Sequence, residues 1–326
     1  MYTVYRDDQV SLDALRDRRL SVIGFGNQGS AQSLNMRDSG LDVLIGNRDD
    51  EYRPRARDAG FEVVEIPEAA ERGDVVSLLI PDEVQREVHL AQIAPHLAAG
   101  DCLNFAHGYN LHYGFIEAPP GVDVTMVAPR MIGRGVRDLF VQGKGASAYC
   151  AVHQDATGRA QDTMLAIAKA IGCSRGGAIV TTVALETELD HFLEQATWPA
   201  IFRVLIESFE VLVEAGYPPE IVALELWGCK EAAEILEAMA DTGLFRQMAL
   251  HSQTSQYGTM SRAPTVIGPE MKPAFAQRLR EIRMGIFARE WELERLLGYP
   301  VFHKLRAECL AHPINAAEDK MRDLGL

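Results

Sequence analysis

Cysteine, positive charge and long apolar runs are scarce in this chain of 326 residues. The five cysteines form no CxxC pair, which favours reduced thiols over a zinc site or a disulfide framework. Lysine and arginine number 32 against 46 acidic residues, and the formal charge of −14 argues against a nucleic-acid or anionic-membrane partner. No apolar run approaches the roughly 18 residues of a membrane span. The first residues are acidic where a signal peptide is basic, so we expect a cytoplasmic protein.

Short apolar runs alternate with helical stretches up to about residue 180. Such alternation predicts a parallel sheet with helices on both faces. The runs are Leu20–Ile23, Val43–Ile45, Val75–Ile80, Cys102–Phe105, Val122–Val127 and Ala146–Val152.

The pattern changes at Thr182, where the strand-like runs stop. Apolar residues then recur at the three- and four-residue spacing of a helix, as in Phe202, Leu205, Ile206, Phe209, Leu212 and Val213. Gly216 suits the end of that helix and Pro218–Pro219 the start of the next one, and another amphipathic stretch covers Lys272 to Leu297. We therefore predict a doubly wound α/β domain over residues 1–181 and an all-helical domain over residues 182–326.

A glycine triplet follows the first apolar run. Gly24, Gly26 and Gly29 form G-x-G-x-x-G between a predicted strand and a predicted helix, which is the context that makes this motif informative. The first glycine permits a tight turn, the second lets the backbone approach a pyrophosphate, and the third lets the helix pack closely on the strand. The loop therefore predicts a Rossmann-type dinucleotide site. Its residues are Gly24, Phe25, Gly26, Asn27, Gln28 and Gly29.

The second apolar run ends in GNRDDEYRPR, where the adenosine ribose is expected to bind. An acid there accepts hydrogen bonds from the ribose hydroxyls of NAD, whereas an arginine accommodates the 2′-phosphate of NADP. Arg48 favours the phosphate and the following acids, among them Asp50, oppose it. The sequence therefore predicts NAD(P)H without deciding between the two forms.

These and later motifs resemble the ketol-acid reductoisomerases, NAD(P)H- and magnesium-dependent enzymes of branched-chain amino-acid synthesis. Matching segments fall in the family's order along almost the whole chain: IGFGNQGSAQSLNMRDSG, LLIPDEVQREV, NFAHGYNLHY, APR at 128–130, ETELDHFLEQ, LVEAGYPPE, SQYG and a late GYP. The resemblance implies a Rossmann domain, a knotted helical domain and an active site between two subunits, hence a homodimer joined through the C-terminal domain. The implied reaction is an alkyl migration on an acetohydroxy acid, followed by hydride reduction.

Three acids in ETELDHFLEQ are spaced for one helix face. Glu186, Asp190 and Glu194 follow at i, i+4 and i+8, a repulsive arrangement that a hard cation such as Mg²⁺ reverses. From the residues alone this is either a solvated acidic face or a metal site. The resemblance assigns Asp190 and Glu194 to metal binding, with Glu186 less clearly placed. It also matches Glu225 to one member of a second ligand pair.

The resemblance implies further site residues. His107, at a predicted strand end, and Arg130, in APR, are candidate catalytic residues together with Asp190 and Glu194. Glu225, Ser252 and Trp198 are candidate substrate contacts. Further cofactor contacts fall on Pro81, Asp82, His107 and Gly133.

Several positions depart from the family's pattern on the substrate and metal side. Arg130 stands where the family has a lysine, and Cys229 where it has the second glutamate of a metal pair; a soft thiol binds magnesium poorly. Glu231 lies six residues after Glu225, about 600° around a helix, and so faces elsewhere unless the helix is disrupted. Gln256 replaces a family glutamate, and Trp198 replaces a small residue. Magnesium is therefore expected singly or not at all.

These observations support three hypotheses. The leading one is a divergent reductase of this family that transfers a hydride from NAD(P)H to a C=O or C=N group of a small molecule. The second is a true ketol-acid reductoisomerase that converts 2-acetolactate to 2,3-dihydroxy-isovalerate. The third is a non-enzymatic sensor that binds the dinucleotide.

Overall fold

The computed structural model describes residues 2–326 and divides the chain into two compact units, one ending at Asp190 and one beginning at His191. The boundary predicted at 181/182 lies just before the helix in which the two units divide, Val183–Phe192. Each unit is described by itself.

A nine-stranded sheet forms the centre of the first unit, in the order β1-β9-β8-β7-β6-β5-β2-β3-β4. Along that order, each of the strands β7, β6, β5, β2, β3 and β4 runs parallel to the next. By contrast, β8 runs antiparallel to β7, and β1 runs antiparallel to β9. The strands are β1 (Thr3–Tyr5), β2 (Leu20–Ile23), β3 (Val43–Gly46), β4 (Glu62–Val64), β5 (Val75–Leu78), β6 (Cys102–Phe105), β7 (Asp123–Pro129), β8 (Ala148–Gln154) and β9 (Ala178–Val180).

The doubly wound α/β prediction is confirmed. Val22 and Val75 join one buried cluster while their neighbours Ile23 and Val76 join another, so both faces of the sheet are covered. The predicted parallel arrangement holds from β2 to β7 and not at β8, because apolar content does not encode strand direction. The short strands β1, β4 and β9 were not predicted. They expose or half-bury most of their side chains and so lack a continuous apolar run.

In the part of the chain that the structure describes, nine α-helices surround this sheet or follow its last strand. They are α1 (Asn27–Asp38), α2 (Tyr52–Asp58), α3 (Ile66–Arg72), α4 (Asp82–Val88), α5 (Tyr109–His112), α6 (Gly133–Val141), α7 (Ala160–Ala170), α8 (Cys173–Gly176) and α9 (Val183–Phe192). Helix α9 carries Glu186, Glu188 and Asp190 of ETELDHFLEQ, and Glu194 lies beyond its end.

The second unit is helical throughout among the residues that the structure describes, as predicted. Its helices are α10 (Trp198–Glu214), α11 (Pro219–Ala223), α12 (Glu231–Thr242), α13 (Gln253–Val266), α14 (Met271–Arg283), α15 (Ile286–Leu296), α16 (Pro300–Ala311) and α17 (Pro313–Asp323). The stretch from Lys272 to Leu297 is two helices, because Gly285 adopts a φ of +65° between them. Phe209 of α10 is buried with Val222, Ala223, Ala317 and Met321. Over residues 2–326 we find no helix that is both long and apolar enough to cross a membrane.

Candidate functional site

The loops that follow the parallel strands share one edge of the sheet. The carboxyl ends of parallel strands meet at the same edge, and ligands bind where the strand order reverses, here between β2 and its neighbours β3 and β5. Each of these five strands is followed by a residue of the predicted site or its loop: Gly24 follows β2, Asn47 follows β3, Pro81 follows β5, His107 follows β6 and Arg130 follows β7. Five segments that are distant in sequence therefore reach one edge.

The glycine loop has the shape that its sequence predicts. Gly24 has a φ of +97°, which disfavours a side chain, and a Cβ on Gly29 would lie 2.1 Å from the Gly24 carbonyl oxygen. A Cβ on Gly26, by contrast, would meet no atom within 4 Å. The space beside Gly26, which caps the start of α1, is therefore open to a ligand phosphate.

The segment after β7 packs against this loop. A Cβ on Gly133 would lie 2.0 Å from the backbone oxygen of Asn27. Gln28 donates from Nε2 to the Met131 carbonyl at 3.0 Å. Gly133 thus permits the close approach of α6 to the glycine loop. A direct contact between Gly133 and a cofactor stays a prediction.

Asp50 organises the loop after β3. Its carboxylate accepts hydrogen bonds from Arg48 Nε and Asn47 Nδ2, both at 2.8 Å, and from the Tyr52 amide at 3.0 Å. Burial acts to raise the pKa of Asp50, but the hydrogen bonds from Arg48, Tyr52 and Asn47 outweigh it and lower that pKa. Arg48, which is 80% exposed, is therefore held by an acid on its own loop.

Glu186 is the best-buried acid at the strand ends. Its side chain is 1% exposed, and it accepts from His107 Nδ1 at 3.0 Å and from the Gly108 amide at 2.9 Å. A Cβ on Gly108 would lie 3.0 Å from Glu186 Oε2 and 2.4 Å from Thr187 Oγ1. Only glycine at position 108 lets the backbone approach α9 this closely.

Arg130 joins two acids of α9. One terminal nitrogen donates to Glu186 Oε1 at 3.1 Å, and the other donates to Asp190 Oδ1 in a short contact. The guanidinium carbon also lies 5.1 Å from the centre of the Tyr149 ring. The planar fork of arginine thus bridges two carboxylates one helical turn apart.

These contacts shift the titration of the cluster. Burial acts to lower the pKa of His107, but the hydrogen bond and charge of Glu186, with the charges of Asp82 and Asp190, raise it to about 9. Burial raises the pKa of Asp82 to about 6, opposed by the charge of His107 and reinforced by Glu83, Glu186 and Asp190. His107 is consequently a cation at neutral pH.

Three potential ligand groups converge in the first unit. One donor atom each from His107, Glu186 and Asp190 lies within 4.8 Å of the others. Glu194 is not in this group: α9 ends at Phe192 and a π-helix, Leu193–Thr197, follows. The regular repeat of α9 ends two residues before Glu194, so the i+8 spacing alone does not place Glu194 on the face of Glu186 and Asp190. A metal-binding role for Glu194 stays a prediction.

A second π-helix, Leu224–Gly228, contains Glu225 and is followed by Cys229. Both side chains are exposed. Lys230 then adopts a φ of +68°, and α12 begins at Glu231. The angle of about 600° between Glu225 and Glu231 assumed a continuous helix. The helix is interrupted at Lys230, so that angle does not apply and the direction of Glu231 does not follow from its spacing.

The other predicted substrate residues also lie in the second unit. The Ser252 hydroxyl caps α13 by accepting from the Ser255 amide at 3.2 Å. The Trp198 ring stacks on Phe202 with 5.9 Å between ring centres. Contact of either residue with a substrate stays a prediction.

Sequence reasoning undervalued Glu186 and missed Gly108 and Tyr149. Glu186 was named only as an uncertain ligand, yet it contacts both His107 and Arg130. The signal available for Gly108 was its position directly after His107 at a strand end. Tyr149 gave no signal, because β8 is reached only through the sheet pairing.

Comparison with known proteins gives the ancestry of this architecture. A family profile described as "Acetohydroxy acid isomeroreductase, NADPH-binding domain" matches residues 14–177, and one described as "Ketol-acid reductoisomerase, C-terminal domain" matches residues 184–325. The chain belongs to the ketol-acid reductoisomerase family. Membership makes it an NAD(P)H-dependent oxidoreductase, which confirms the predicted enzyme class and leaves the sensor hypothesis without support.

Individual members of the family match over the full length. The chain is 44% identical to a ketol-acid reductoisomerase (NADP(+)) of Methanopyrus kandleri, covering 99% of this chain and 98% of that protein. It is 43% identical to the protein of the same name from Pyrobaculum calidifontis, covering 99% of both. A solved NADH-preferring ketol-acid reductoisomerase from an uncultured archaeon superposes with a TM-score of 0.95 at 36% identity, covering 99% of both chains.

Proposed function

We propose that this chain reduces the keto group of a small 2-oxo acid with NAD(P)H, the reductive step of its family's reaction. The observation that carries this proposal is the cluster of His107, Arg130, Glu186 and Asp190 at the same sheet edge as the glycine loop. A cationic imidazole and guanidinium suit a carboxylate substrate and the negative charge that develops on its carbonyl oxygen.

The chemical step balances without a further reactant. Bound NAD(P)H, with its pyrophosphate held at the glycine loop beside Gly26, would supply a hydride with its electron pair to the carbonyl carbon and would become NAD(P)⁺. The π electrons of the carbonyl would move to oxygen, which would take a proton. His107, whose pKa is raised to about 9, holds a proton at neutral pH and is the candidate donor.

The magnesium that the family implies does not fit this cluster well. Both oxygens of Glu186 already accept hydrogen bonds, and Oδ1 of Asp190 accepts from Arg130. In the second unit, Cys229 supplies a soft thiol where the family's second pair has a carboxylate. The charge that develops on the carbonyl oxygen is therefore met by His107 and Arg130.

The complete reaction of the relatives is the second candidate, and it is the one that the comparisons favour. Proteins named ketol-acid reductoisomerase are 43–44% identical over nearly the whole chain. In that case the substrate is 2-acetolactate, and an alkyl shift precedes the same reduction. Against it stand Arg130 and Cys229, because identity over a fold shows ancestry whereas a reaction depends on a few site residues.

One comparison of substrates separates the two candidates. Purified protein is supplied with NADPH or NADH, with and without Mg²⁺, and with either 2-acetolactate or 3-hydroxy-3-methyl-2-oxobutanoate, the product of the alkyl shift. Oxidation of the cofactor only with the second compound supports reduction alone. Turnover of 2-acetolactate supports the complete reaction, and turnover of neither compound refutes both.

The second unit is proposed to form a homodimer, as the resemblance implies. It exposes large apolar side chains, including Phe245 at 77%, Leu250 at 74% and Leu296 at 70%. An exposed apolar surface of this kind typically marks an interface. Light scattering should give twice the chain mass at micromolar concentration, and a monomeric mass would refute the dimer.

A further inference from the structure

The acids Glu186 and Asp190 already have a cation between them. Arg130 donates from one terminal nitrogen to Glu186 at 3.1 Å and from the other to Asp190. The arginine and the two acids belong to two different elements, since Arg130 follows β7 and both acids lie on α9. The bridge therefore fixes the end of a strand against one face of a helix.

Glu186 has no oxygen to spare for a metal ion. An ionised carboxylate offers about four lone-pair sites. Oε1 accepts from His107 and Arg130 at 3.0 and 3.1 Å, and Oε2 accepts from the Gly108 amide at 2.9 Å and lies 3.1 Å from the same His107 nitrogen. A divalent cation would have to displace these donors from a side chain that is 1% exposed.

An arginine at position 130, where the family has a lysine, also disfavours a metal ion beside these acids. Lysine carries a point charge on a flexible stem and loses its proton when its surroundings become cationic, so it coexists with a nearby metal ion. Arginine keeps its charge, and its fork matches two carboxylates at once. A metal ion at Asp190 would therefore stand beside a permanent positive charge.

We propose that the Arg130 guanidinium takes the charge-balancing role of a divalent cation at Glu186 and Asp190, so that reduction by this chain is independent of metal. The inference rests on the proposed reductive function but goes beyond it. It assigns to Arg130 a positioning and electrostatic role.

Metal binding is measured on the full chain with NADPH bound, by titration with Mn²⁺ followed by electron paramagnetic resonance. The wild-type protein should leave Mn²⁺ free, and Arg130→Met should bind it at least about tenfold more tightly because two carboxylates lose their cation. Arg134→Met is the matched control: it removes the same charge four residues later from a side chain that is 87% exposed, and should behave as wild type. Arg130→Lys should fall between wild type and Arg130→Met.

Activity gives the second readout. Reduction of 3-hydroxy-3-methyl-2-oxobutanoate by the wild type should keep its rate in EDTA, whereas Arg130→Met should lose about a hundredfold or more without metal. Tight Mn²⁺ binding by the wild type that Asp190→Asn removes, or a rate lost in EDTA and restored by Mg²⁺, would overturn the proposal. If the substrate is not reduced at all, the proposed function fails, and the wild-type titration still decides the inference without any variant having to fold.

Discussion

Nδ1 of His107 lies 3.0 Å from Oε1 and 3.1 Å from Oε2 of Glu186, so one imidazole nitrogen faces both oxygens of a buried carboxylate. This relationship joins the end of β6 to α9. It accounts for much of the rise in the pKa of His107 from 6.5 to about 9, which occurs despite burial. Because the shift is a difference between folded and unfolded states, it is also a statement about stability.

Stability should therefore depend on pH through this pair. An imidazole with a raised folded-state pKa stabilises the fold fully below its unfolded value near 6.5, and this contribution is lost as the pH rises through about 9. Glu186→Gln should remove most of the difference between urea midpoints measured at mildly acidic and strongly alkaline pH. Glu188→Gln, which neutralises an acid two residues later on α9, is the control. Equal pH dependence in wild type and Glu186→Gln would contradict the assignment.

Substitutions of Gly26 and Gly29 should have different effects, one on cofactor binding and the other on stability. A Cβ at Gly26 meets no atom within 4 Å, so Gly26→Val should keep the fold but block the pyrophosphate and abolish dinucleotide binding. A Cβ at Gly29 would lie 2.1 Å from a backbone oxygen, so Gly29→Ala should lower the melting temperature. Calorimetry of NADPH binding and thermal unfolding together test both. A strongly destabilised Gly26→Val protein would show that this reading of the loop is wrong.

The glycine loop and most strands could be predicted from sequence because their signals are local. A tight turn needs glycine wherever it occurs, and a buried parallel strand needs an apolar run. The importance of Glu186 could not be predicted in this way, since it depends on β6, β7 and α9 meeting in space.

Residue spacing alone could not place the acids that lie beyond the helix irregularities. Glu194 lies on a π-helix, and Glu231 follows a left-handed Lys230. Counting residues assumes a constant repeat, and neither a π-turn nor a left-handed lysine has a clear sequence signal. Glu186 and Asp190, four residues apart in the regular part of α9, do lie on one face of the helix. Both accept hydrogen bonds from Arg130.

The choice between NADH and NADPH should depend on Arg48 and Asp50. Arg48 lies on the loop after β3, where a 2′-phosphate is expected to bind, but its Nε donates to Asp50 at 2.8 Å, and the acid itself disfavours a phosphate. Arg48→Ala should weaken NADPH binding more than NADH binding, by about 1.5 kcal/mol, since the side chain is largely exposed. Asp50→Asn should shift preference towards NADPH. Dissociation constants for both cofactors test this, and equal losses in Arg48→Ala would mean that Arg48 does not contact the phosphate.

The last prediction restores two of the family residues that this chain has replaced. If Arg130 and Cys229 are what separate it from a complete reductoisomerase, Arg130→Lys combined with Cys229→Glu should free Glu186 and Asp190 and supply a hard ligand in place of a thiol. Cys229 is exposed and donates only weakly, from Sγ to the Glu225 carbonyl at 3.8 Å, so a glutamate fits there without repacking a core. The double variant should consume NADPH with 2-acetolactate only in the presence of Mg²⁺, at least about tenfold faster than either single variant, because alkyl migration needs both changes.

Arg130→Lys with Cys309→Glu, which places the acid at another exposed cysteine, should gain nothing. If the wild type already turns over 2-acetolactate with Mg²⁺ as fast as the double variant, these two substitutions do not limit the reaction, and the complete reductoisomerase is the correct function.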